Sequence, residues 1–196
     1  MKYLFLTLLS IFIYSFGKAQ DKKYTDSAVA EYIEACKCVL KSHDGKATDF
    51  KRIRKTDFYN FAKKIFYISF KNTDTSNHTP YFKNGLLNDE VINEKHLLSS
   101  QETDSLNKTL FNYKYKGYPV KILVFECKTA ENAIIYLDEN NNAIAAINIC
   151  FSQTGYSTWV NDRYNGTHGP SLYDTCFGKY ELLAKLFRSA GIKNIK

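Results

Sequence analysis

The sequence carries no glycine-rich phosphate loop, no GxSxG elbow and no HExxH helix. Nucleotide hydrolysis, α/β-hydrolase chemistry and zinc peptidase chemistry therefore have no local signature to rest on. Its histidines, at 43, 78, 96 and 168, are scattered with no HxxxH pair, and Cys36-Lys37-Cys38 is not a CxxC. A metal site needs several ligands at compatible spacing, so neither a metal nor a cofactor is implied. Carboxylates occur throughout, but no pair stands out as an acid and a base across a cleft. The longest apolar run, Tyr3 to Phe16, is broken by Thr7, Ser10 and Ser15. A membrane-spanning helix needs roughly 20 mostly apolar residues, so a retained anchor is disfavoured. The first cysteine is Cys36, which leaves a bacterial lipoprotein modification without a thiol near the N-terminus.

What the N-terminus does contain is a three-part secretory pattern. Lys2 supplies the positive start, Tyr3 to Phe16 the apolar run, and Gly17-Lys18-Ala19 the small-residue exit, with cleavage expected after Ala19. Export to a periplasm or to the medium follows. Removing residues 1–19 leaves 177 of the 196 residues, enough for a single domain that buries about two-thirds of its unfolded surface. Lys2 and Lys18 leave with the signal, so the 27 basic residues fall to 25 against 20 acidic ones, a net charge of +5. That excess is compatible with anionic partners and equally with a solvated surface.

Export also opens the disulfide question for the 5 cysteines, at 36, 38, 127, 150 and 176. The odd count leaves at least one free or intermolecular thiol, and spacing alone does not select the pairs. Cys127 is the favoured partner of Cys150, because it lies just beyond the same end of the hairpin expected around residues 133–151; Cys176 is the rival.

Hydrophobic periodicity orders the rest. Val29, Tyr32, Ile33, Cys36, Val39 and Leu40 recur at helical spacing from Thr25 to Leu40, which predicts an amphipathic helix with Thr25 or Asp26 as its N-cap. Cys36 and Cys38 then point to different sides and cannot easily bridge each other. Phe58, Phe61, Ala62 and Ile65 fit a helix, whereas Phe66, Ile68 and Phe70 alternate as in a strand. Residues 71–96 read as a long surface excursion rich in turn residues. Ser99 with Glu102 forms a capping box for a second helix whose Leu106 and Leu110 face the core.

From Pro119 on the pattern is clearest. Val120 to Cys127 is a strand candidate, and Ala133–Asp138 and Ala143–Phe151 flank the turn Glu139-Asn140-Asn141-Asn142. A symmetric turn pairs Ile134 with Ile147 and Ile135 with Ala146. Both faces of this hairpin are then apolar, so it should sit mid-sheet, covered on both sides. Residues 153–171 read as irregular, and Cys176, Tyr180, Leu183 and Phe187 as a last helix closed by Gly191. The order contains no βαβ alternation and no repeat. An α+β single domain with an antiparallel sheet packed by helices is the expectation.

Three groups of residues are candidates for function. The stretch Gly155 to Pro170 holds Tyr156, the single tryptophan Trp159, Arg163, Tyr164 and His168, a composition that matches binding hot spots; the competing reading has Trp159 plugging the core edge. Cys150 and His168 could pair as thiolate and imidazole in a thiol-dependent hydrolase. No oxyanion element accompanies them, and the usual burial of cysteine favours a structural role. The span 44–71 is net basic with aromatics interleaved, which suits anionic envelope polymers as well as a solvated face. Nucleic acid is an unattractive target for an exported chain.

The run Cys127-Lys-Thr-Ala-Glu-Asn132-Ala133-Ile134-Ile135-Tyr136-Leu-Asp138-Glu139-Asn140, continued by Ile147-Asn-Ile149-Cys150-Phe151 and the helix from Cys176 to Ile192, resembles small secreted bacterial proteins of no assigned activity. The likeness covers the chain from near Ser99. It departs where those proteins often carry proline and a basic residue, here Ala130 and Glu131, and where a second cysteine often follows, here Gln153. The resemblance implies a fold and an exported location but no reaction. Taken together, the expectation is a non-enzymatic exported protein that binds a protein or envelope component.

Overall fold

The computed structural model describes residues 26–40, 58–72, 79–117, 125–126, 129–164, 172, 175–176 and 178–196. The signal peptide expected over residues 1–19 and residues 44–57, half of the basic span, lie outside them. The chain divides into two compact units, residues 1–34 and 35–196; the α+β fold belongs to the second.

Helix α1, Asp26–Cys36, ends four residues before the periodicity suggested. Cys38–Leu40 instead forms strand β1, paired antiparallel with β6, Tyr113–Tyr115. Just beyond β6 the chain passes close to Ala35, and the Gly117 N–H donates to the Ala35 carbonyl at 3.0 Å. A Cβ on Gly117 would lie 3.0 Å from that of Ala35.

The main sheet has six strands in the order β5-β2-β8-β9-β10-β7. These are β2 Lys64–Phe70, β5 Ile92–Leu97, β7 Phe125–Glu126, β8 Asn132–Leu137, β9 Ala143–Cys150 and β10 Gly155–Val160. Five run antiparallel. The two-residue β7 joins β10 in parallel, so the sheet is not purely antiparallel.

The hairpin β8–β9 occupies the centre in the predicted register, with Ile134 opposite Ile147 and Ile135 opposite Ala146. Its turn works because Asp138 Oδ1 accepts the N–H groups of Asn140 and Asn142 at 2.9 and 2.8 Å. Asn141 meanwhile takes the left-handed conformation (φ 66°) that asparagine tolerates.

Every residue of β8 and β9 is buried, and the pleat sends alternate side chains to two cores. On one face Tyr67, Ile134, Tyr136, Ile147 and Ile149 meet Leu106 and Leu110 of α2, Ser100–Phe111, and Leu183 and Phe187 of α3, Lys179–Ser189. Tyr67 stacks on Phe187 with ring centroids 4.2 Å apart. On the other face Ala133, Ile135, Leu137 and Ala146 are covered by Tyr81, with Phe82 and Leu87 packed alongside.

That second cover corrects the reading of 71–96 as a surface excursion. The segment holds a small hairpin, β3 Phe82–Lys83 and β4 Leu86–Leu87, the edge strand β5, and a fully buried Tyr81. A two-sided apolar hairpin demands a second layer, and five scattered apolar residues without regular period supply it. The Tyr81 hydroxyl donates to Asn148 Oδ1, and Asn148 Nδ2 donates to Ser157 Oγ at 3.1 Å, so the polar groups of this core are paired. Burial holds the Tyr81 hydroxyl protonated far above its ordinary range.

Candidate recognition site

Gly155–Val160, expected to be irregular, is the strand β10, with Tyr156 opposite Ile149 and Trp159 opposite Ala146. Strand alternation therefore separates two of the candidate residues. Tyr156 joins the helix-side core, while Trp159 goes to the other face, half-buried against Phe82 at 5.1 Å.

Arg163 and Tyr164 follow in a 3₁₀ turn, Asp162–Tyr164, fixed by Asn161. The Asn161 carbonyl accepts the Tyr164 N–H at 2.8 Å, its Oδ1 accepts the Arg163 N–H at 3.0 Å, and its Nδ2 donates to the Ala143 carbonyl at 2.9 Å. The turn is thus bolted to the start of β9. His168 lies outside the described residues; of the four described candidates only Arg163 and Tyr164 share one place.

What they meet there is the exit of the basic span. A 3₁₀ turn, Phe58–Asn60, buries Phe58 and Tyr59, with Tyr59 edge-on to Tyr136 at 5.5 Å. The chain then turns out at Phe61, which is 44% exposed and whose ring lies 5.1 Å from that of Tyr164. Lys63 is exposed beside it, and its N–H donates to the Leu137 carbonyl at 2.8 Å. Lys64 Nζ donates to Asn141 Oδ1 at 2.5 Å. Partial burial alone would raise the pKa of Asp138. The hydrogen bonds from Asn142 and Asn140 and the charge of Arg163 outweigh it and hold the carboxyl below its ordinary range.

The hairpin-turn end of the sheet therefore presents two aromatic rings among Lys63, Lys64 and Arg163 and the acidic Asp138, Glu139 and Asp162. These groups can grip a surface. By its spacing with Phe58, Ala62 and Ile65, Phe61 fits a helix. Its exposure depends on the 3₁₀ turn at 58–60, which carries no local sequence mark.

The cysteines bear on the thiol reading. Cys150 is 1% exposed and disulfide-bonded, so it offers no resting thiolate. Cys127, its expected partner, lies outside the described residues. Cys176, the rival, is bonded to Cys38, with Cα atoms 4.9 Å apart. The nearby Tyr115 hydroxyl and Thr175 Oγ1 lie 3.1 Å apart. Cys36 is free and buried. Among the described residues no group of three His, Cys, Asp or Glu side chains could hold a metal ion. No helix of the described residues is long and apolar enough to cross a membrane.

Set against known proteins, the chain matches no family model, no curated protein and no solved structure.

Proposed function

We propose that this chain is an exported, non-enzymatic binding protein that engages a protein partner through the Phe61–Tyr164 pair and Arg163. The observation that carries the reading is an aromatic pair with one ring nearly half exposed, beside a guanidinium and mounted on hydrogen-bonded turns. Trp, Tyr and Arg dominate binding hot spots, and rigid aromatics lose little entropy on docking. Lys63, Lys64 and Arg163 are matched by Asp138, Glu139 and Asp162, which suits a mixed protein surface better than an anionic polymer. Export is supported by the secretory pattern of residues 1–19 and by the Cys38–Cys176 disulfide.

Binding of anionic envelope polymers through residues 44–71 is the second reading, favoured by the basic excess of that span; it predicts affinity that falls steeply with salt. A thiol hydrolase built on Cys150 and His168 would first need its disulfide reduced.

A photo-crosslinking amino acid installed at Phe61, with Asn93 on the edge strand as control, tests the proposal in the exporting host. A protein adduct at 61 and none at 93 is expected. Equal labelling at both positions, or none at 61, would falsify it.

A further inference from the structure

Residues 192–196 cross the open end of the sheet, away from the hairpin turn, and are held there largely through their backbone. Glu94 Oε1 accepts the Lys193 N–H and Oε2 the Asn194 N–H, both at 3.0 Å, and Ser69 Oγ donates to Oε2 at 2.6 Å. Asn132, fully buried, donates from Nδ2 to the Asn194 carbonyl at 2.7 Å and accepts the Lys196 N–H at 3.0 Å. The Phe151 N–H donates to the Lys196 carbonyl at 2.8 Å. Lys196 Nζ lies 2.9 Å from Glu131 Oε2. Ile192 is buried, whereas Lys193, Asn194 and Lys196 are exposed.

We propose that residues 193–196 are an acid-released strap, shut while Glu94 is a carboxylate and freed when Glu94 takes up a proton, which uncovers the Asn132 amide and the apolar rim at Phe151. Both ends of the strap rest on a carboxylate. Protonation of Glu94 removes the charge that strengthens its two N–H bonds to the strap. The contacts of Asn132 do not titrate, but Asn194 couples the halves, because its N–H serves Glu94 and its carbonyl serves Asn132.

Facing Glu94 are Ser69 of β2 and the strap itself. His96, on the same side of β5, is engaged by Glu102 at 2.8 Å. Burial alone would raise the Glu94 pKa, yet the bonds from Ser69, Asn194 and Lys193 hold it below its ordinary value. The strap's contribution is therefore complete above the ordinary carboxylate pKa and is lost as pH falls through the lowered one.

Amide exchange followed by NMR on the whole protein between pH 7 and 3 tests this inference. After correction for intrinsic rates, protection of the Lys193, Asn194 and Lys196 amides should fall at least ~10-fold in acid, a shift of ~1.4 kcal/mol, while Ile134 and Ile147 stay protected. The variant Glu94→Gln should show the strap already open at pH 7. Loss of strap and sheet protection together, survival of Lys196 protection alone, or a shut strap in the Glu94→Gln variant overturns the proposal.

Discussion

At the scale of single residues, Lys179 is the least expected. It begins α3, yet it is fully buried, and its Nζ donates to the Leu110 carbonyl at 3.1 Å and the Leu172 carbonyl at 2.7 Å. A lysine at a helix start opposes the dipole of its own helix. Here the ammonium instead meets the last turn of α2, where carbonyls lack helical partners and favour a cation. One side chain thereby fastens α2, the segment at Leu172 and α3. Lys179→Met should destabilise the protein by about 2 kcal/mol, because it strands buried carbonyls; Lys179→Ala should cost more by adding a cavity. Urea unfolding of both variants checks the size and the order. Asn107 illustrates a different limit: it matches a glycosylation sequon, but at 5% exposure the folded chain does not present it.

At the scale of elements, the devices written in neighbouring residues were the legible ones. Ser99 Oγ accepts the Glu102 N–H at 3.3 Å while Glu102 Oε2 accepts the Ser99 N–H at 2.7 Å, the capping box the spacing predicted. Ser99→Ala should therefore lower stability by about 1 kcal/mol, read as a smaller urea midpoint with unchanged slope. The close of α3 was also legible: Gly191 adopts φ 87°. Its N–H reaches the Arg188 carbonyl and that of Ile192 the Phe187 carbonyl, both at 3.0 Å, a Schellman motif. By contrast β5, with the sequence Ile-Asn-Glu-Lys-His-Leu, carries no strand signal in the sequence. An edge strand facing solvent is built with charges, which erases the apolar signal. The polar strand β10 reads as a loop in the sequence for a similar reason, as Ser157 and Thr158 dilute its pattern.

At the scale of the whole molecule, the Cys38–Cys176 bridge spans a sequence separation of 138 residues. It ties the β1–β6 ribbon to the approach to α3. Closing so long a loop removes much unfolded-state freedom, and in the chain-entropy account is worth about 5 kcal/mol. Cys38→Ser should show a loss of that order in unfolding experiments. Peptide mapping without reduction should recover Cys38 linked to Cys176 and Cys150 linked to Cys127. Cys36 should react with alkylating agent only after denaturation; labelling of Cys36 in the native protein would contradict its burial.

The sequence by itself determined the α+β class, the two-faced central hairpin with its register, the capping box and the closing glycine. Each is encoded in residues a few positions apart, where period and turn chemistry act. Only the tertiary structure decided that Trp159 and Tyr156 part to opposite faces, that Phe61 joins Tyr164, that Cys176 pairs with Cys38 and that Lys179 is buried. Those outcomes depend on strand pairing and on contacts between residues 60 to 140 positions apart, and no local pattern carries such distances.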